Sequence, residues 1–173
     1  VFDLLQIDKN SVDNKKLSQN IVMDPYFSVD PANTTPFPAE LDDLCRLHYL
    51  VRTRKVTTIL EFGIGKSTYV FDDALKRNNE DFGPYVKEKL RRSNPFELHS
   101  IDNYQDWIDS VKNQAKPPLS QSTSLHCCEL NIGTFNDRLC TYYEDLPNIS
   151  PDFIYLDGPD QFSAKGSIRG LST

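Results

Sequence analysis

Residues 57–68 read Thr-Thr-Ile-Leu-Glu-Phe-Gly-Ile-Gly-Lys-Ser-Thr, and this stretch decides the fold of the chain. The apolar and β-branched residues at its start predict a buried strand over residues 56–62. Gly63 and Gly65 follow this strand directly, and glycine lets a backbone turn sharply. Ser67 is a suitable capping residue for a helix that begins there. The stretch therefore predicts a strand, a tight turn and a helix in direct succession, as in α/β proteins.

The alternation of strand and helix patterns continues along the chain. Three further segments have the composition of strands, and they are residues 96–101, 124–130 and 151–157. Apolar residues recur at helical spacing in residues 38–55, 67–78 and 104–115. Such alternation predicts a mainly parallel sheet with helices on both faces. Residues 131–140 fit either a loop or a short extra strand.

Composition divides the chain into an arm and one domain. Residues 1–37 are polar with few periodic apolar positions, which predicts an extended N-terminal arm. Residues 38–173 predict a single α/β domain, whose second helix we expect to end at Asn78 and Asn79. Residues 79–95 predict an insertion in that domain, which a Gly-Pro step at residues 83–84 opens, a basic amphipathic helix around residues 85–92 fills and residues 93–95 close.

Charge and composition exclude several classes of function. The 173 residues carry 19 Lys and Arg against 25 Asp and Glu, a formal net charge of −6, which disfavours non-specific nucleic-acid binding. No apolar run reaches the ~18 residues of a membrane span, and no secretory signal is visible. The four cysteines lack metal-ligand spacing, which favours free thiols in a reducing compartment. We therefore expect a cytoplasmic protein without membrane contact.

Three of the four predicted strands end in an acidic residue. These residues are Glu61, Asp102 and Asp157. The carboxyl ends of parallel strands meet at one edge of a sheet, and open α/β sheets bind ligands at that edge. Gly63 and Gly65 would let a ligand approach the backbone, and the first amides of the next helix would point into the site. Because a carboxylate after the second strand suits two ribose hydroxyls, we expect an adenosine-type cofactor.

The glycine turn partly matches two known phosphate-binding motifs, the P-loop and the dinucleotide fingerprint. Gly65-Lys66-Ser67 matches the end of a P-loop, but that motif needs a glycine where Leu60 stands, so a triphosphate site is excluded. The dinucleotide fingerprint needs a third glycine where Thr68 stands. A nucleotide- or NAD-linked enzyme is therefore the weaker alternative.

Three motifs, taken in order, resemble the class I S-adenosylmethionine-dependent methyltransferases over about residues 38–162. They are Glu61-Phe62-Gly63-Ile64-Gly65, then Asp102, then Phe153-Ile154-Tyr155-Leu156-Asp157-Gly158. The resemblance implies a Rossmann-like, doubly wound sheet, S-adenosylmethionine as the cofactor and a small-molecule or sugar-containing methyl acceptor. It assigns cofactor contacts to Glu61, Phe62, Gly63, Gly65, Lys66, Ser67, Thr68, Asp102, Asn103, Tyr142, Tyr143 and Asp157.

Individual roles follow from the same resemblance. Asp102 would bind the ribose hydroxyls, Asn103 would lie beside the adenine, and Tyr142 and Tyr143 would contact it from before a Leu-Pro step. Asp157 would lie near the transferred methyl group. Asp157 and Asp160 are the candidates for a catalytic base. Because these two carboxylates lack a clear third metal ligand, a divalent metal is the less favoured option.

The family sheet has seven strands, whereas this chain ends at Thr173, soon after the fourth predicted strand. We therefore expect a C-terminally truncated sequence with a sheet that is incomplete at that end. An exposed sheet edge invites pairing with a second copy, so a homodimer is one expectation. The same feature keeps a second function open, that of a non-catalytic scaffold or partner-binding domain.

Overall fold

The protein has a mixed α/β fold, seen in a computed structural model that describes residues 40–92 and 94–159. Three helices are present in this part of the chain: α1 (Leu41–Thr53), α2 (Lys66–Lys89) and α3 (Gln105–Gln114). Its strands are β1 (Thr58–Phe62), β2 (Glu97–Asp102), β3 (Thr123–Cys127), β4 (Leu130–Phe135), β5 (Arg138–Tyr143) and β6 (Phe153–Leu156). The predicted α/β class and the four predicted strands are confirmed.

The main sheet has four parallel strands in the order β3-β2-β1-β6. The register places Ile59 beside Leu98 on one side and beside Phe153 on the other. The chain therefore adds β2 and β3 on one side of β1 and then returns to place β6 on the opposite side. Asp152 fastens this last strand, because its carboxylate accepts hydrogen bonds from the amides of Thr57 and Thr58. The order of the strands reverses between β1 and β6.

Helices α1 and α2 cover one face of the sheet. Their apolar side chains form a core with sheet residues of that face: Leu47, Val51, Val56, Ile59, Phe71, Ala74, Leu75, Leu98, Phe153 and Tyr155. Helix α3 continues the same layer, since Ile108 and Val111 pack with Ile64 and Leu125. Burial of this apolar stripe from each helix is the main source of stability for the layer.

The opposite face of the sheet is covered differently. Leu60, Ile101 and Cys128 pack there with Tyr143 and Ile149, and Tyr143 belongs to the antiparallel pair β4–β5. No helix packs on this face within the described ranges, where a hairpin supplies the cover. Helices on both faces therefore stay a prediction.

The prediction that the second helix ends at Asn78 and Asn79 is wrong, because α2 continues through Pro84 to Lys89. Asn78 is fully buried and does not act as a stop signal. Its side-chain amide donates to the carbonyl oxygens of Val51 and Val56, and its oxygen accepts from Arg52. The side chain thus satisfies partners outside its own helix, which sequence periodicity does not reveal. Residues 79–89, predicted as part of an insertion, extend this helix.

Residues 131–140, for which the sequence allowed either a loop or a short strand, form most of a hairpin. Strands β4 and β5 pair from Leu130 with Tyr143 to Phe135 with Arg138. Asn136 and Asp137 join them with positive φ angles of 50° and 60°. Asn and Asp tolerate this conformation well, and a two-residue turn of this kind matches the twist of paired strands.

Some sequence predictions fall on residues outside the described ranges. These are the extended arm at residues 1–37, the candidate base Asp160 and the end of the chain at Thr173. In the described part, no helix combines the length and the apolar character that crossing a bilayer requires. All four cysteines are free thiols, and Cys128 is the buried one.

Candidate functional site

The turn after β1 is shaped by close packing against the segment after β6. Gly63 has a φ angle of +98°, and its amide donates to the carbonyl oxygen of Ile101 at 2.8 Å. A Cβ atom on Gly63 would lie 2.4 Å from the carbonyl oxygen of Asp157 and 3.1 Å from the amide nitrogen of Gly158. The requirement for glycine at this position therefore comes from the fold itself.

Gly65 differs from Gly63 in its backbone conformation and in the space around its Cα atom. It precedes α2 with an extended φ of −171°, which any residue adopts. A Cβ atom on Gly65 would meet nothing within 4 Å. The Gly65 amide donates to the Thr68 hydroxyl at 3.0 Å, so the turn is held without the open side being filled. Packing thus gives no reason for glycine here, and a close ligand approach would.

Asp102 is joined directly to the glycine turn. Its Oδ2 atom accepts a hydrogen bond from the Ile64 amide at 3.1 Å, and its Oδ1 atom accepts from the Tyr104 amide at 3.1 Å. The Trp107 indole donates to the Ile64 carbonyl oxygen at 2.6 Å. The structure therefore brings the turn and the acid of the second strand together, as the sequence predicted. Trp107 was predicted only as part of a helix face, and its contact with the turn was missed.

Glu61 lies inside the fold and is fully buried. Its carboxylate accepts hydrogen bonds from Ser67 at 2.5 Å, from Thr68 at 2.7 Å and from Ser100 at 2.6 Å. Burial raises the pKa of Glu61 from 4.5 to about 7, against the effect of these three hydroxyls. Glu61 therefore anchors the start of α2 to the sheet and does not face a ligand directly.

The predicted cap role of Ser67 is wrong, because Gly65 occupies the cap position and the Ser67 hydroxyl bonds Glu61. Ser100 was missed as a member of this group. The available signal was its place two residues before Asp102, a small polar residue on the same side of β2 as the apolar Leu98. Ser67 and Thr68 turn their hydroxyls inward, so any ligand contact at the start of α2 would come from their backbone amides.

Asp157 lies on the other side of the glycine turn from Asp102. Its amide donates to the Phe62 carbonyl oxygen at 2.7 Å, directly after β6. The side chain is exposed, and its Oδ2 atom accepts from the Tyr155 hydroxyl at 3.4 Å. The negative charge of Asp157 also contributes to the raised pKa of Glu61. An exposed carboxylate at this edge is accessible to a ligand bound over the turn.

The two predicted aromatic contacts separate in the structure. Tyr143 stacks on Phe62 with ring centroids 5.6 Å apart, whereas Tyr142 is exposed and lies against Gly133 in the hairpin. The Tyr143 hydroxyl is buried and has no hydrogen-bond partner among the described residues. Burial, with the negative charge of Asp102, raises the pKa of Tyr143. The structure therefore brings Tyr143 to the site edge and leaves Tyr142 outside it.

The remaining predicted contacts are on the rim. Asn103 follows Asp102, is half-buried, and forms no side-chain hydrogen bond with any residue of the described ranges. Lys66 is the first residue of α2 and is also half-buried. Both residues are therefore near the turn, where the first amides of a long helix lack intrahelical partners.

The histidines lie apart from this edge. His48 bonds Asp73 at 2.8 Å between α1 and α2, where both side chains are partly buried. His99 bonds His126 at 3.0 Å and Glu97 at 3.0 Å on the hairpin side of the sheet. Within the part of the chain that the structure describes, no three His, Cys, Asp or Glu side chains are arranged to hold a metal ion.

Comparison of the chain with protein-family models and with curated proteins gives no match. The geometry at the carboxyl edge of the sheet is therefore what supports a function.

Proposed function

We propose that this chain is a Rossmann-like, doubly wound domain that binds S-adenosylmethionine and transfers its methyl group to a small-molecule or sugar-containing acceptor. The observation that carries the proposal is the 3.1 Å hydrogen bond between the Ile64 amide and Asp102 Oδ2. It joins the glycine turn and the acid of the neighbouring strand at one place on the sheet edge.

The strand order supports a ligand at this place. Open α/β sheets bind ligands outside the carboxyl ends of the strands, where the strand order reverses. In this chain the reversal falls between β1 and β6. The turn at Gly65 follows β1, and Asp157 follows β6, so both flank that point. The open side of Gly65 is the approach that a ligand would use.

The charges of the edge favour a cationic ligand over a pyrophosphate. Asp102 and Asp157 provide two carboxylates beside the turn, against the ammonium group of Lys66, and the Glu61 carboxyl group lies buried beneath them. A sulfonium group is positively charged and is attracted by these carboxylates, whereas they repel the two negative charges of a pyrophosphate. Thr68 also fills the place of the third glycine of a dinucleotide site and bonds Glu61. Both features favour S-adenosylmethionine over NAD.

The residues of the edge would act by orientation. Methyl transfer from a sulfonium is an in-line displacement, so the protein mainly holds the two reactants in line. The Gly65 turn and Asp102 would hold the amino-acid and ribose parts of the cofactor, and Tyr143 would stack beside it. Asp157, an exposed carboxylate at the same edge, is the described candidate for taking the proton of an acceptor hydroxyl.

Calorimetric titration of the full chain tests this function. We expect S-adenosylhomocysteine and S-adenosylmethionine to bind with one site each, and NAD and ATP to give no saturable heat. Asp102→Asn should weaken S-adenosylhomocysteine binding at least about tenfold, because a hydrogen bond to a charged group contributes about 1.5–3 kcal/mol. Asp137→Asn in the hairpin turn is the matched control and should leave affinity unchanged. Tighter binding of NAD or ATP than of S-adenosylhomocysteine would overturn the proposal.

A non-catalytic role in partner binding is the second candidate, and the surface of β6 favours it. Ile154 and Leu156 are 62% and 73% exposed on the hairpin side of this edge strand. The strand carries no charged residue to discourage pairing, so the occupant that fits it best is the same strand of a second copy. Light scattering after gel filtration should then give a dimer that Ile154→Lys converts to a monomer. A monomeric chain would count against this role.

A further inference from the structure

Glu61 is a buried acid without a cationic partner. All of its hydrogen bonds come from hydroxyls, those of Ser67, Thr68 and Ser100. No Lys, Arg or His side chain forms an ion pair with it among the residues that the structure describes. Buried charges in proteins are ordinarily paired, because an isolated charge is costly to remove from water. The described side chains around this carboxyl group therefore provide no positive charge that would balance it.

The other groups that face Glu61 do not compensate its charge either. Helix α2 contributes only hydroxyls, and β2 contributes the hydroxyl of Ser100. The segment at β6 contributes Tyr155 and Asp157, and Asp157 is negative. From α1, Asp43 adds a further negative charge beside Tyr155. The charged side chains recorded as acting on Glu61 or Tyr155 in the described part of the chain are thus acidic, and burial raises the pKa of Glu61 to about 7.

Glu61 is also connected to the open side of the glycine turn. Its Oε2 atom accepts a hydrogen bond from the Thr68 hydroxyl, which in turn accepts one from the Gly65 amide. Two consecutive hydrogen bonds therefore lead from the buried carboxyl group to Gly65, where a Cβ atom would meet only open space. A charge placed over Gly65 would interact with Glu61 because the buried Thr68 side chain, rather than water, lies along this connection.

We propose that Glu61 is a specificity-determining residue that recognises the positive charge of the cofactor and releases its proton to solvent when a sulfonium binds. This inference rests on the proposed function. The neutral carboxylic acid becomes a carboxylate, the proton goes to the buffer, and no bond to the ligand is formed. S-adenosylhomocysteine has the same shape without the sulfonium methyl and its charge, so its binding should leave the proton in place. The site would thereby favour the substrate form of the cofactor over the product form as pH rises.

The expected size follows from linkage between proton and ligand binding. A unit positive charge about 6 Å from the carboxyl group, at an effective dielectric constant of about 20, favours the carboxylate over the neutral acid. It should raise the acid dissociation constant of Glu61 about ten- to one-hundredfold. The affinity ratio of S-adenosylmethionine to S-adenosylhomocysteine should then rise about five- to tenfold between pH 6 and pH 8. At pH 7, S-adenosylmethionine binding should release about half a proton.

The test is calorimetry of the full chain with both ligands at pH 6, 7 and 8. Measurement at pH 7 in two buffers of different ionisation enthalpy gives the number of protons released. Glu61→Gln should abolish the difference in proton release and flatten the affinity ratio. Glu88→Gln, an exposed position at the far end of α2, is the matched control and should behave as the wild type. The ionisation of each free ligand is measured in the same buffers and subtracted from the proton release on binding.

Three results would contradict either the role of Glu61 alone or the proposed function as well. Equal proton release by the two ligands in the wild type overturns the role of Glu61 and leaves the proposed function standing. An unchanged pH dependence in Glu61→Gln does the same. Failure of both ligands to bind the wild type overturns the proposed function and this inference together. If Glu61→Gln does not fold, the wild-type comparison in two buffers decides the question alone.

Discussion

Substitution by alanine should have different effects at the two glycines of the turn: a loss of stability at Gly63 and a loss of ligand affinity at Gly65. Gly63→Ala places a Cβ atom 2.4 Å from the Asp157 carbonyl oxygen on a backbone with a φ of +98°. The unfavourable backbone conformation costs about 1–3 kcal/mol, and forcing backbone atoms apart costs about another 1–3 kcal/mol. The expected loss in the free energy of unfolding is thus about 2–6 kcal/mol, or about 4–24 °C in Tm.

Gly65→Ala is the matched control. Its Cβ atom meets nothing within 4 Å, and the extended backbone accepts any residue. Loss of the small preference for glycine before a helix costs about 0.5–1 kcal/mol, and the reduced freedom of the unfolded chain returns about 0.4–1 kcal/mol. The free energy of unfolding should therefore change by less than about 1 kcal/mol. The Gly65 substitution should act on ligand binding, and we expect the S-adenosylhomocysteine affinity to fall about tenfold or more.

Urea unfolding followed by circular dichroism measures the stability of both variants, and calorimetry measures the affinity. Equal losses of stability in the two variants would refute the distinction between a glycine needed by the fold and one needed by a ligand. A Gly63→Ala variant as stable as the wild type would refute the close approach to Asp157. Undiminished affinity in Gly65→Ala would show that the ligand does not approach the open side of the turn.

Three further variants test the contacts behind the site. Asn78→Ala should lower the free energy of unfolding by about 3 kcal/mol, because two buried carbonyl oxygens lose their donor, whereas exposed Asn79→Ala should cost less than about 0.5 kcal/mol in the same urea experiment. Tyr143→Phe removes a hydroxyl without a partner among the described residues, so scanning calorimetry should give a Tm equal to or above that of the wild type, and a large decrease would contradict this environment. The raised pKa of Glu61 means that the folded state holds its proton more tightly than the unfolded state, so its stabilising effect is complete below pH 4.5 and is lost as pH rises through about 7. The stability difference between wild type and Glu61→Gln should therefore fall by about 2–3 kcal/mol between pH 5 and pH 8 in urea titrations, and a constant difference would disprove the shift.

The strands and the acids at their ends could be predicted from the sequence because both depend on local patterns. A parallel strand is often a short apolar run, and the run up to Phe62 and the run from Phe153 are of this kind, although only the first is buried on both faces. Once the strands are parallel, their carboxyl ends must meet, so Glu61, Asp102 and Asp157 were bound to share an edge. This step needs no knowledge of side-chain contacts.

What the sequence could not provide was the direction of particular side chains. Tyr142 and Tyr143 are neighbours in β5 and necessarily point to opposite sides of the hairpin. Which of them faces the sheet depends on the register of the hairpin, and the turn at Asn136 and Asp137 sets that register. Asn78 was misread for a similar reason, since its partners lie on α1 and the following turn.

Thr68 counts against a dinucleotide site and connects the glycine turn to the buried Glu61. A dinucleotide site uses glycine there so that the helix can approach the strand closely. Here the helix is held by a hydroxyl that bonds the buried Glu61 and accepts from Gly65, so a side chain takes the place of bare backbone contact. The resulting turn is fastened from below by a carboxyl group, which supplies none of the positive charge that a pyrophosphate would need. The residue that breaks the dinucleotide fingerprint therefore also forms the link between the turn and Glu61 on which the proposed preference for a cation depends.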